Sequence, residues 1–359
     1  MFAKRPIGTV VLIAAVCLVP GQAAASGPQA VTFSAQGEHT YVVPYGVLRL
    51  RVEADGQPGS SGQLGGAGGS GADVIAEFPV APGETLYGEV DIGGGAGGAG
   101  GNAGGGGGGD SDVRTCSVSA TCTGDPRLVV AGGGGGGGGG NRAPNGGNGG
   151  TGPSATCNQG RDGGTVVNGG GGGGTCSAPG SGGTACGVCA AVGDNGSGAT
   201  GGAGGSETGA GGGGGYFGGG GGGGDTFYVG GGGGGGSSFA AANTSNVSMT
   251  IAAGSASMTF TPLTPPQAPT GVVAKAGNRQ AMVKWTAPSN DGGYPILDYT
   301  VTSHPSGFYT TVSSSQTMAV VTGLTNGQPY TFTVSARNQL GDSPDSVPSN
   351  TVKPHKPRR

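Results

Sequence analysis

The chain has 359 residues, 92 of them glycine, with 10% charged and 5% aromatic. Ordinary glycine usage is about 7%, so this chain has too little charge for a typical disordered protein and too few large apolar groups for a conventional core throughout. Ser26 to Pro265 holds fifteen acidic residues, six arginines and no lysine, a net of −9, whereas Pro266 to Arg359 holds eight basic and four acidic residues, a net of +4; a lysine-free acidic region excludes the basic footprint that nucleic acid requires.

At the amino end, Lys4 and Arg5 precede an apolar stretch from Ile7 to Val19, and Ala23-Ala24-Ala25 supplies small residues for cleavage. This pattern predicts a signal peptide over 1–25, cut between Ala25 and Ser26, and a secreted, extracellular mature chain. The stretch is shorter than the about 20 residues that span a ~30 Å hydrocarbon core, and no later segment is longer, so the mature chain is expected to carry no transmembrane anchor. Cys17 follows Val16, where a lipid-modified cysteine wants a small residue, and it leaves with the signal. Six cysteines remain, an even number that in an exported chain predicts disulfides. Proximity alone pairs Cys116 with Cys122, Cys157 with Cys176 and Cys186 with Cys189; the sequence does not choose among the pairings.

Residues 31–92 alternate as strands do. Val31-Thr32-Phe33 and Thr40-Tyr41-Val42-Val43 come first, then Val47 to Val52 with apolar residues and arginines on opposite faces. A glycine-serine loop over 56–71 leads to Ala72–Phe78, Pro82-Gly83-Glu84 turns, and Thr85–Ile92 runs into glycine. The field from Gly93 to Gly236 follows: 68 of its 144 residues are glycine, with unbroken runs at 104–109, 132–140, 169–174, 211–215, 218–224 and 230–236. Short apolar pieces punctuate it at Leu128–Ala131, Thr165–Val167, Tyr216-Phe217 and Thr226–Val229. Val247–Ile251 and Ser257–Thr261 alternate beyond it, and prolines at 262, 265 and 266 mark a linker.

Such runs either form a flexible tether or extended helices of three residues per turn packed side by side; collagen is excluded because no Gly-X-Y period exists. Ordering the nine glycines of 132–140 costs about 9–18 kcal/mol. Backbone hydrogen bonds of about 0.5–1.5 kcal/mol each and weak Cα–H···O contacts offset this only where other runs surround each run. Strands and cysteines between runs suit a bundle, since a tether needs neither.

Three framing motifs carry a resemblance: Tyr41–Ala54, Val80–Tyr87, and Leu128–Ala131 entering glycine. With Tyr216-Phe217-Gly218 and Gly236-Ser237-Ser238-Phe239, they make residues 30–262 similar to the secreted bacterial and phage glycine-rich domain family. They are also similar to the glycine-rich extracellular region of anaplastic lymphoma kinase-type receptors and to phage tail adhesin tips. The resemblance implies a β-sandwich carrying polyglycine helices; no kinase domain is present, so nothing of receptor signalling carries over. From Ala268-Pro269-Thr270-Gly271-Val272, through Ala281–Trp285 and Ile296–Thr302, to Leu324–Asn338, residues 267–354 resemble a fibronectin type III domain. A seven-stranded sandwich is implied, with Trp285 in the core and Tyr330 near a corner. The expected organisation is signal peptide 1–25, glycine-rich domain 26–262, linker 263–266, fibronectin type III domain 267–354 and basic tail 355–359, all-β throughout.

Chemistry is sparse. His39, His304 and His355 stand beside no nucleophile motif, and His39 and His304 are expected on strand surfaces. Glu84, Glu89 and Asp91 flank strands and turns and are expected to be a solvated face. The P-loop lysine is missing. Asp110 and Asp112 only faintly echo a calcium repeat, and Cys186-Gly187-Val188-Cys189 lacks both a helix and a second pair. No catalytic, cofactor or metal residue is therefore assigned. The expected role is secreted, non-catalytic adhesion or scaffolding toward an extracellular protein or glycan, through the segments 110–127, 151–168 and 175–210. An accessory role in extracellular polysaccharide degradation and an inert matrix or coat role are the alternatives. The bundle predicts that residues 93–236 resist proteases until the disulfides are reduced; rapid cleavage across the field under oxidising conditions, read by mass spectrometry, would return it to a tether.

Overall fold

The computed structural model describes residues 27–99, 102–140, 143–150, 156–165, 169–184, 190–205, 208–225 and 229–356. The expected signal peptide with its Ala25–Ser26 cleavage pair, and Cys186 and Cys189, lie outside them. The described residues form strands and no helices. Two units separate, one built on Ala30–Tyr45 and Arg49–Thr261 and the other on Pro262–Arg359.

In the first unit the strands are β1 (Val31–Phe33), β2 (Gly37–Val42), β3 (Arg49–Asp55), β4 (Ala72–Pro79), β5 (Thr85–Ile92), β6 (Asp110–Arg114) and β7 (Arg127–Ala131). They continue with β8 (Cys157–Asn158), β9 (Ala190–Ala191), β10 (Gly224–Asp225), β11 (Ser238–Ala240), β12 (Ser245–Ile251) and β13 (Ser257–Leu263). A five-stranded sheet runs β1-β13-β3-β4-β12, a six-stranded sheet runs β2-β5-β6-β7-β11-β8, and β9 pairs with β10. Alternation decides the inner faces: Leu50, Val52 and Ala54 of β3 are buried, as are Val74, Ala76 and Phe78 of β4 and Leu86 and Val90 of β5. The two sheets meet where Tyr41 of β2 stacks on Phe260 of β13, ring centroids 4.5 Å apart. At Gly88 of β5 a β-carbon would stand 2.6 Å from the sulfur of Met258, so this position lets the sheets close together.

The glycine segments are the connections β3–β4 and β5–β6 and the long stretch from β7 to β11, interrupted by β8, β9 and β10. They start side by side: Gly56 N donates to Ala72 O, Gln57 N to Gly109 O and Ala72 N to Gly132 O. From there the run 132–139 is bonded with a period of three. Gly133, Gly136 and Gly139 donate to Gly214, Gly211 and Thr208; Gly134, Gly137 and Gly140 donate to Gln57, Ser60 and Gln63; Gly135 and Gly138 donate to Gly147 and Pro144. Its carbonyls accept from three further segments: at 132, 135 and 138 from Ala72, Gly69 and Gly66, at 133, 136 and 139 from Gly236, Gly233 and Gly230, and at 134 and 137 from Gly108 and Gly105. Six neighbours thus surround this run, and a period of three is the repeat of an extended three-residue turn.

The same arrangement recurs around 230–236. It donates to 133–139, to Gly220 and Gly223 and to Arg161 and Gly164, and accepts from Ala210 and Gly213, from Gly171 and Gly174, and from Gly147 and Gly150. Neighbouring backbones approach so closely that a side chain has no place. A β-carbon on Gly136 would lie 2.0 Å from Gly105 O, and one on Gly135 2.0 Å from Gly233 O.

The second unit contains β14 (Thr270–Ala276), β15 (Gln280–Thr286), β16 (Asp298–His304), β17 (Tyr309–Ser313), β18 (Met318–Thr322), β19 (Thr331–Asn338) and β20 (Gly341–Asp342). Two antiparallel sheets, β14-β15-β18 and β17-β16-β19-β20, enclose a core that includes Trp285, Tyr299, Leu324, Tyr330, Phe332 and Val334. The Trp285 ring lies 5.3 Å from that of Tyr299. The Tyr330 hydroxyl accepts Thr325 N at 3.1 Å, tying the strand to the preceding turn.

Replacing Gly136 with Ala is expected to destabilise the first unit by about 3 kcal/mol or more, because rigid backbone must move. Gly254, with nothing near its would-be β-carbon, is the control, expected within about 0.5 kcal/mol on the same substitution; chemical denaturation under oxidising conditions measures both.

Candidate functional site

Of the three segments singled out by sequence, two spend much of their polar chemistry inside the lattice. Asp162 Oδ1 accepts Gly173 N at 2.7 Å and Asn195 Oδ1 accepts Gly182 N at 2.7 Å. Asn145 and Asn148, nearby, accept Ala67 N and Ser70 N at 2.9 and 3.0 Å. These side chains substitute for backbone carbonyls where a run ends. Cys157 bonds to Cys176 across nineteen residues, fastening β8 to the end of the run 169–174.

The remaining segment, between β6 and β7, is a built loop. Arg114 holds Asp112 through two hydrogen bonds of 2.6 Å and Glu89 of the neighbouring strand at 3.0 Å. Arg127 holds Asp125 the same way, at 2.9 and 2.7 Å. It also donates to Tyr216 O at 3.0 Å and lies 4.2 Å over the Tyr216 ring, whose other face stacks on Phe239 at 4.2 Å. Cys116 and Cys122 are bonded and close the tip. Glu38 of β2 supports that tip from below, accepting Ser117 Oγ at 2.9 Å and Val118 N at 2.8 Å. Val118, Ser119, Ala120 and Thr121 then face solvent.

The charges beneath this loop correct one expectation. Glu89 is not on a solvated face: it is 3% exposed, since the outer face of β5 and β6 is covered. Asp110 and Asp112 are wholly buried beside it. Burial raises the Asp112 carboxyl, against the bonds from Arg114, whereas the bond to Arg127 lowers Asp125. Asp110 has no hydrogen-bond partner on either oxygen; burial first, then the Asp112 charge, holds its carboxyl well above the usual range. Its Oδ1 lies against Gly214, where a β-carbon would be 2.7 Å away.

Both arginines are thus committed to carboxylates. His39 Nε2 sits 2.6 Å from Ala35 O with its ring stacked on Phe33. His304 Nε2 is 3.0 Å from Thr333 Oγ1, and that hydroxyl reaches Asp345 at 3.4 Å. The carboxylate there touches the hydroxyl and not the imidazole, the reverse of a catalytic triad. Among the described residues no group of three or more His, Cys, Asp or Glu could hold a metal ion, and no helix is long and apolar enough to cross a membrane.

The sandwich of β14–β20, its buried Trp285 and its Tyr330 corner agree with a match of residues 265–352 to the family model of the fibronectin type III domain. Residues 265–352 are a fibronectin type III domain. Solved structures similar to the chain include titin kinase with its flanking domains, at 29% identity over 25% of this chain and 17% of that one, TM-score 0.23. The twitchin kinase region from C. elegans matches at 26% identity over 26% of this chain and 18% of that one, TM-score 0.24. Titin module A71 from human cardiac muscle matches at 29% identity over 25% of this chain and 92% of that one, TM-score 0.23. The chain therefore spans under a fifth of the length of the first two.

The Asp110 carboxyl sets a pH dependence. Its folded-state affinity for a proton exceeds that of an ordinary carboxylate near pH 4, so its contribution is fully present below that pH and is lost as pH rises through the raised value. Asp110→Asn keeps the shape without the charge. Denaturation curves of variant and parent are expected to agree near pH 4 and to separate, variant more stable, as pH rises toward neutrality.

Proposed function

We propose that this chain is a secreted, non-catalytic binding scaffold, in which a rigid glycine-rich domain presents a disulfide-closed loop to an extracellular protein or glycan. The fibronectin type III domain is the spacer that carries it. The observation that supports this reading is the double anchoring of the 116–122 tip: Arg114 fixes one stem to buried Asp112 and Glu89, Arg127 fixes the other to half-buried Tyr216, Glu38 supports it, and Val118–Thr121 remain outside. A loop held this way binds with little ordering cost, and a scaffold with functional loops is a recurrent division of labour.

The six-neighbour lattice supports reading residues 26–262 as a polyglycine-helix domain of the secreted bacterial and phage type, resembling also the glycine-rich region of anaplastic lymphoma kinase-type receptors. Two disulfides suit an oxidising, extracellular setting.

Pull-down of the full-length, disulfide-bonded protein on whole cells and on insoluble glycans tests the assignment. Replacing Val118–Thr121 with glycine and serine is expected to lower retention about tenfold, with the melting temperature unchanged within about 3 °C. Retention unaffected by the replacement, or no retention on any surface, would overturn it.

A further inference from the structure

The outer face of the β14-β15-β18 sheet carries exposed apolar and basic side chains. Strand register places Val273, Lys284 and Met318 in one row and Lys275, Met282 and Val320 in the next. All but Met282 are exposed, and Met282 is half-buried. The three strands contain no acidic residue, and the ion pairs of the described residues all use arginine, so neither lysine is paired with a carboxylate among them. The face is four apolar side chains crossed by two ammonium groups.

A second face has the opposite sign. On the outer side of the five-stranded sheet of the glycine-rich unit, Glu53 pairs with Ile75 and Asp55 with Asp73. Asp73 also stands beside Thr250 of β12, whose hydroxyl donates to it at 3.0 Å, and Ser257 donates to Asp55 at 2.8 Å. Burial first, then the Asp73 and Asp55 charges, raise the Glu53 carboxyl against Arg51, and burial, with the Asp55 charge, raises Asp73 against the bond from Thr250. The cation beside them, Arg51, is held by Glu77 at 2.7 Å.

We propose that the Val273/Lys275/Met282/Lys284 sheet face of one copy docks on the Glu53/Asp55/Asp73/Ile75 sheet face of a second copy of this chain. The charge complementarity is between patches and between whole units: the acidic region has no lysine from Ser26 to Pro265, whereas the region from Pro266 onward is net basic. Each copy carries both faces, so the contact is heterologous and propagates head to tail unless it closes into a ring. Ammonium–carboxylate pairs on half-exposed faces set orientation and encounter rate, and the apolar residues between them hold the contact, so association weakens as salt rises.

Sedimentation velocity of the full-length, disulfide-bonded protein over roughly a hundredfold range of concentration tests this, since mass action must populate the oligomer. The parent is expected to grow with concentration at low salt and to dissociate at high salt. Lys275→Glu with Lys284→Glu, and separately Glu53→Lys with Asp73→Lys, are each expected to weaken association about tenfold or more. Mixing the two variants restores it, because each then meets a face of opposite sign. If the acidic-face double variant misfolds, Glu53→Lys alone, at an exposed position, takes its place. A parent that stays monomeric throughout, association indifferent to either reversal, or no recovery on mixing would overturn the proposal.

Discussion

A carbonyl oxygen of Gly105 sits 2.0 Å from where a β-carbon of Gly136 would stand, and the same is true of Gly233 and Gly135. This closeness is what the first unit depends on. Without side chains, backbone segments come near enough for each peptide group in the interior to bond sideways to another segment. The gain per residue, about one shared hydrogen bond at roughly 0.5–1.5 kcal/mol, is of the same size as the about 1–2 kcal/mol needed to order a residue. A run therefore holds only in company, and the lattice forms as a whole.

The sandwich supplies that company. Three of its connections leave where the ends of β3, β5 and β7 adjoin, so the first peptide groups of each glycine segment are placed by strand pairing. Asn145, Asn148, Asp162 and Asn195 then complete the bonds where runs turn. The two disulfides of the described residues act at the margins, one closing the 116–122 loop and one joining β8 to a run. The large aromatic groups serve the same end: Tyr41 and Phe260 lock sheet to sheet, and Tyr216 lies between Arg127 and Phe239 at the base of the loop.

The charge distribution follows from this architecture. A bundle of backbone leaves little room for charges, so many of them collect on the sheets, whereas Asp162 completes a bond at the end of a run. Some are buried with partners, as in Arg114–Asp112–Glu89. Asp110 is buried with none. Others remain on outer faces, acidic on the glycine-rich unit and basic on the fibronectin type III domain.

Much of the strand content was legible from alternation: β3, β4, β5, β13 and the strand carrying Trp285 show a period of two, and β7 was legible as a short apolar piece between glycine runs. The absence of a phosphate-binding lysine was legible too, as was the need for runs to surround one another. β6 was not. Asp110-Ser111-Asp112-Val113-Arg114 shows no apolar alternation, because the burial of Asp110 against Gly93 and Gly214 is a tertiary fact, and the ion pair with Arg114 makes Glu89 a buried partner where a surface acid was expected. Nor could residue order say which glycine run meets which, since a run of identical residues carries no register of its own. Residue order shows where side chains are absent and backbones can touch; which run meets which is settled in three dimensions, because strand ends, and not glycines, set where each run begins.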